Sequence, residues 1–340
     1  MDSFARLPAS DRREIIQERA TQMDVDFTIV EKDFWVCWTL KSLFSLPPGN
    51  AAMTFKGGTS LSKAYGLIDR FSEDIDVAIK PGFFIAQGFD DPEEPGLSKP
   101  QRDRRRRALD VACAGYIGDP LLAELQTQFS TRLASTDGWS IDVDPTDSNA
   151  LLFQYRQSNP QLDYSSVLGG VKIGIVKIEL GWRAKTDPQE PRTIVPFLAE
   201  IPMLLRSPQV ICNVLAPGRT FWEKVTALHA ESFRGETKRF FSRHYSDVAA
   251  MLQTQIGKTA SRDLAMLDDV RIFKDVYYHS GWARYDLARP GSLAIVPSRE
   301  KLRDLAGDYR GMRQMFLSHP PSFDWVIDQL RAFESEVNAA

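Results

Sequence analysis

Apolar and polar positions come in blocks whose periods predict a mixed α/β protein. Residues 10–22 and 28–45 carry helical spacing, and the second block, TIVEKDFWVCWTLKSLF, is rich enough in aromatics to be expected deep in a core. Residues 53–80 read as strand, glycine turn, helix, strand. Residues 88–101, GFDDPEEPGLSKPQ, read as a loop, and residues 102–132 return to a helical pattern. Short strand candidates follow at 139–144 and 151–156. The clearest strand is 171–182, VKIGIVKIELGW, followed by a polar turn at 185–192. After about residue 206 the period is helical. The expected organisation is N-terminal helices over 1–50, an α/β core over 51–205 and a helical C-terminal region over 206–340.

The chemistry concentrates in residues 55–79. Gly57 and Gly58 end a short apolar strand and open a helix whose Leu61, Ala64, Tyr65 and Ile68 share one face. Two glycines let a backbone approach a ligand closely, and a helix start with the Ser60 hydroxyl beside it suits a phosphate. A plain strand-to-helix turn is the alternative. The spacing is not that of a Walker A loop. In the strand that follows, Ile75, Val77 and Ile79 share one face, while Asp74 and Asp76 share the other. Two carboxylates roughly 7 Å apart on one strand repel unless a cation lies between them, and hard oxygen ligands suit Mg²⁺. On strand 171–182, Val176, Ile178, Leu180 and Trp182 face one way, and Lys177 and Glu179 the other. If that strand lies beside Asp74 and Asp76, Glu179 supplies a third carboxylate. Lys177 either joins this chemistry or simply pairs with Glu179.

Composition narrows the class. The 340 residues are 43% apolar and 26% charged, with 42 basic and 45 acidic residues giving a net charge of −3. That excludes a disordered chain, a collagen-like repeat and a disulfide-stapled miniprotein. No apolar run approaches the roughly 18 residues of a membrane helix, and the N-terminus lacks a signal-peptide core, so the expected compartment is the cytoplasm. Cys37, Cys113 and Cys212 form no CxxC pair and are expected to be reduced and partly buried. His229, His244, His279 and His319 lack HExxH spacing, so no zinc site is expected. The run Gln101-Arg102-Asp103-Arg104-Arg105-Arg106-Arg107 reads either as a salt-bridged helix start or as a phosphate-tracking patch.

Later in the chain, Thr220-Phe221-Trp222-Glu223 has capping-box spacing ahead of an apolar stripe at Phe221, Val225 and Leu228. Arg243 and Asp247 stand at i, i+4, which alone reads as a surface ion pair. Glu31-Lys32-Asp33, in the aromatic helix, reads as structural.

A glycine pair, a serine, a helix, then thirteen residues (61–73) and an Asp-Ile-Asp between apolar residues resemble the nucleotidyltransferase signature shared with DNA polymerase beta. Glu179 resembles its third carboxylate. More narrowly, the chain resembles the AbiEii/AbiGii toxin family of type IV toxin–antitoxin and abortive-infection systems. Four blocks carry this: Glu31-Lys32-Asp33-Phe34-Trp35, residues 57–76, Lys177-Ile178-Glu179, and Glu223-Lys224 with Arg243-His244-Tyr245-Ser246-Asp247. The resemblance implies a polymerase-beta-like core with a small mixed sheet and a helical C-terminal region. It implies a metal-dependent transfer of NMP from an NTP to an acceptor hydroxyl, the tRNA 3′ end being the expected acceptor. Asp74, Asp76 and Glu179 would hold Mg²⁺ or Mn²⁺, with Lys177 beside them. Gly57, Gly58, Thr59, Ser60, Lys224, Arg243 and Asp247 would surround the nucleotide. The implied partner is a DNA-binding antitoxin encoded nearby. Two alternatives stand beside this reading: a small-molecule acceptor, as in antibiotic nucleotidyltransferases, and a non-catalytic nucleotide-binding module that acts by sequestration.

Overall fold

A computed structural model describes the chain except residues 48, 165–166 and 169–170, and gives only the backbone at 167, 168 and 171. The chain divides into two compact units, Met1–Ala64 with Ser72–Leu215, and Tyr65–Phe71 with Ala216–Ala340. The structure is a mixed α/β fold with a helical C-terminal region.

The first unit is built on a seven-stranded mixed sheet. Its strands are β1 (Met53–Lys56), β2 (Ile75–Ile79), β3 (Ser140–Asp144), β4 (Asp147–Gln154), β5 (Ile175–Gly181), β6 (Gln189–Ile194) and β7 (Val210–Leu215). They lie in the order β3-β4-β5-β2-β1-β7-β6. β2 runs parallel to β5 and antiparallel to β1, and β7 runs parallel to β1. Its main helices are α1 (Ala9–Met23), α2 (Phe27–Phe44), α3 (Gly57–Lys63), α4 (Lys99–Tyr116) and α5 (Leu122–Leu133). The aromatic helix α2 is capped by Asp26 and buries every residue but Lys41. Its Trp38 meets Phe129 of α5 at 4.7 Å and stacks on Phe153 of β4 at 5.8 Å. Val176 is the register partner of Phe153 and shares that helix-covered face. Lys177 and Glu179, one residue on in the alternation, stand on the other.

Three expectations change here. The polar turn at 185–192 contains the start of β6, an edge strand that pairs antiparallel with β7 from Gln189↔Leu215 to Ile194↔Val210. Its Pro191, Glu190 and Arg192 suit an edge and hide a strand signal. β7 joins the sheet beyond the boundary expected at 205/206, so the division falls after Leu215. Finally, α3 stops at Lys63 instead of running through Ile68, and Gly66 turns with φ +61°.

The second unit is helical, with α6 (Pro217–Phe233), α7 (Ser242–Leu252), α8 (Leu264–Tyr277), α9 (Arg299–Gly311) and α10 (Phe323–Ala339). α6 begins at Pro217 with Ala216 as its N-cap, three residues ahead of the expected capping box. Thr220 is therefore inside the helix and buried. Phe221 and Trp222 pack on Phe333 of α10 at 5.5 and 5.9 Å. The segment 65–71 is tied into this unit by a bridge between Arg70 and Phe316 and by a bond from Phe71 N–H to Met315 O at 2.7 Å. Among the described residues no helix is long and apolar enough to cross a membrane.

Candidate active site

β1 delivers the chain into Gly57, which has φ +80°. A Cβ there would lie 2.0 Å from Oδ2 of Asp76, so only glycine fits beside that carboxylate. Gly58 follows and is partly exposed. Thr59 and Ser60 are fully buried. The Ser60 hydroxyl donates to Gly57 O at 2.9 Å, and the Thr59 hydroxyl donates to Asp74 O and lies 3.0 Å from Ser72 Oγ. The Ser60 hydroxyl shapes the turn, and the Thr59 hydroxyl fastens it to the segment carrying Asp74. Ser60, expected to face a phosphate, is turned inward.

Asp76 and Glu179 are direct register partners on the parallel strands β2 and β5, so their side chains project from the same face of the sheet. Both are half-buried. Burial, against the pull of Lys56 and with the help of the Glu179 and Asp74 charges, raises the Asp76 carboxyl to about 7. Lys56 sits opposite Asp76 on β1. Sequence reasoning missed this lysine, although its place just before the glycine pair was the available signal. Asp74 lies one residue ahead of β2, half-buried, and its charge acts on both Asp76 and Lys177. Lys177 makes the simpler of its two expected contacts, an ion pair with Glu179 at 2.7 Å, with Asp144 further off at 3.9 Å.

Among the described residues, no three His, Cys, Asp or Glu side chains are gathered into a ready metal-binding set. The donors nonetheless fit a hard divalent cation. Mg²⁺ takes one or two carboxylates and completes its shell with water and substrate phosphates. Two adjacent carboxylates, one of them holding a proton near neutrality, are a pair whose proton a cation can displace.

In the second unit, Asp247 of α7 is buried and accepts two bonds from Arg70, each 2.7 Å, and one from Lys224 at 2.8 Å. Burial alone would raise the Asp247 carboxyl, but Arg70 and Lys224 hold it well below the usual range. Lys224 also lies 3.3 Å from Nδ1 of His244, whose imidazole is pushed well down by burial and by Lys224. The expected surface pair of Arg243 with Asp247 is thus replaced by a buried network in which Arg70 is the partner. Arg70, isolated between Asp69 and Phe71, gave no sequence signal.

The arginine run heads α4. Arg105 pairs with Asp90 at 3.7 Å and with Glu94, and Arg106 pairs with Glu93 at 3.4 Å. The acidic loop therefore neutralises part of the run, while Arg102, Arg104 and Arg107 remain exposed. The three cysteines are free and buried.

A family model described as nucleotidyl transferase AbiEii toxin, type IV TA system, matches residues 38–329. Among solved structures, MenT4, a nucleotidyltransferase toxin from Mycobacterium tuberculosis H37Rv, is 15% identical, with 96% of this chain and 98% of that chain covered at a TM-score of 0.49. No curated protein matches the sequence.

Proposed function

Since this chain belongs to the AbiEii family of nucleotidyltransferase toxins of type IV toxin–antitoxin systems, we propose that Asp76 and Glu179, with Asp74, form its catalytic centre for transferring NMP from an NTP to an acceptor hydroxyl. The observation that carries this is the register pairing of Asp76 with Glu179 over a glycine turn with no room for a side chain. Asp74, Asp76 and Glu179 would hold a divalent cation, Mg²⁺ or Mn²⁺. When bound, such a cation supplies charge that balances the triphosphate and polarises its α-phosphate.

The chain's own residues do the rest. Asp76 gives up its proton as the site is loaded. Glu179, held by Lys177, takes the proton of the acceptor hydroxyl on a carboxylate oxygen. The acceptor oxygen forms a bond to the α-phosphorus, the bond from that phosphorus to the β-phosphate oxygen breaks, and pyrophosphate leaves. Gly57 and Gly58 keep the turn bare where the triphosphate would approach Asp76, and the buried Thr59 and Ser60 hydroxyls hold its shape. Lys224 and Asp247, which the resemblance places around the nucleotide, are members of the buried network of the second unit.

The proposed acceptor is the 3′ end of tRNA, in the cytoplasm, and the proposed partner is a DNA-binding antitoxin encoded nearby. Both follow from family resemblance. The test is incubation of the purified chain with each α-labelled NTP, Mg²⁺, and either total tRNA or a panel of aminoglycosides. Labelled tRNA is expected, and Asp76→Ala is expected to lower its yield by at least about a hundredfold without lowering the melting temperature. Wild-type label transfer by Asp76→Ala would defeat the assignment.

A further inference from the structure

Helix α2 carries three consecutive charges, Glu31, Lys32 and Asp33, each no more than 1% exposed. Successive helix positions point about 100° apart, so the three cannot share a partner. Glu31 accepts bonds from Ser158 N–H at 2.9 Å and from Tyr164 Oη at 2.6 Å. Lys32 Nζ pairs with Glu73 and donates to Lys172 O. Asp33 pairs with Lys63 at 2.7 Å and accepts from Phe197 N–H at 2.6 Å. Two of these ties end beside the proposed site. Glu73, only 6% exposed, is the residue immediately before Asp74, and Lys63 closes the helix that opens at Gly57.

Stability alone is a poor account of such an arrangement. Replacing a buried ion pair by apolar residues of similar volume is often neutral or stabilising, and in some proteins such groups are kept for the geometry they specify. Asp74 lies outside β2, so the ladder does not set its direction. Its backbone is held by Thr59 from one side and, through Glu73, by Lys32 from the other.

We propose that Lys32 is a positioning residue: by clamping Glu73 to α2 it sets the direction in which the Asp74 carboxylate leaves the backbone, and so the metal affinity of the site. This rests on the site assigned above to Asp74, Asp76 and Glu179.

The test uses the full chain with Lys32→Met, the double variant Lys32→Met with Glu73→Leu, and Asp76→Asn as reference. Mn²⁺ binding is followed by electron paramagnetic resonance with a non-hydrolysable NTP analogue present, so no turnover is needed, and melting temperatures are recorded without metal. Both Lys32 variants are expected to bind Mn²⁺ about 10–100-fold more weakly, the double variant doing so at a wild-type melting temperature. Wild-type Mn²⁺ affinity in the folded double variant would overturn the proposal. If neither variant folds, Glu73→Gln decides. It keeps the volume and an acceptor for Lys32, and must show the same loss to a smaller degree, an unchanged affinity again overturning the proposal. If Asp76→Asn loses affinity while the Lys32 variants keep it, the positioning role alone falls. If Asp76→Asn itself binds like wild type, the site assignment falls first.

Discussion

Gly57 and Asp76 constrain each other more tightly than any other pair at the site. A methyl group at position 57 meets both a left-handed backbone and the Asp76 carboxylate at 2.0 Å. Gly66 also has positive φ, but nothing lies within 4 Å of its Cβ position. Gly57→Ala is therefore expected to abolish transfer and to cost more than Gly66→Ala, which should lose only about 1–2 kcal/mol and keep activity. Thermal melts and label-transfer assays on the two variants make the comparison. Asp76 also gives the metal-free protein a pH signature. Its folded-state carboxyl is raised to about 7, above the ordinary value of about 3.9. A raised acid stabilises the fold fully below its unfolded value, and the contribution is lost as pH rises through the folded one. The metal-free melting temperature should thus decline between about pH 4 and pH 7, and Asp76→Asn should flatten that decline. An unchanged slope in Asp76→Asn would show that Asp76 is not the titrating group.

Elements whose signal is local were legible in the sequence. β5 alternates along its length, and α2 is rich in apolar and aromatic residues on all sides. The expectation for the glycine turn and the Asp-x-Asp strand also came from local spacing. What was hidden depends on pairing. β6 is polar and joins the sheet only through β7, and Lys56 reaches Asp76 only because β1 runs antiparallel to β2. The segment 65–71 continues a helical pattern, yet its Arg70 is committed to Asp247, 177 residues away. No periodicity reports a contact of that range. Asp247→Ala would leave Arg70 and Lys224 buried without their counter-charge, so a loss of about 3–5 kcal/mol is expected in denaturant titration. Arg243→Ala, which removes no partner of Asp247, should cost only on the order of 0.5 kcal/mol. The reverse order would restore the simple i, i+4 pair.

At the scale of the whole molecule, the family match covers residues 38–329, taking in most of the sheet unit and nearly all of the helical one. The activity belongs to that family, and the site proposed for it lies where a parallel strand pair sets two carboxylates side by side. The Arg102–Arg107 run shows how composition can mislead at this scale. The loop that precedes it supplies acids for Arg105 and Arg106, so a basic stretch in the sequence is only partly a basic surface. The central claim is that Asp76 and Glu179 form the metal-binding face of the site. The most direct measurement is anomalous diffraction from crystals grown with Mn²⁺ and a non-hydrolysable NTP analogue. A manganese peak between the Asp76 and Glu179 carboxylates, with the α-phosphate beside it, is the predicted result. A manganese–nucleotide complex bound elsewhere, with no metal at those two carboxylates, would contradict it.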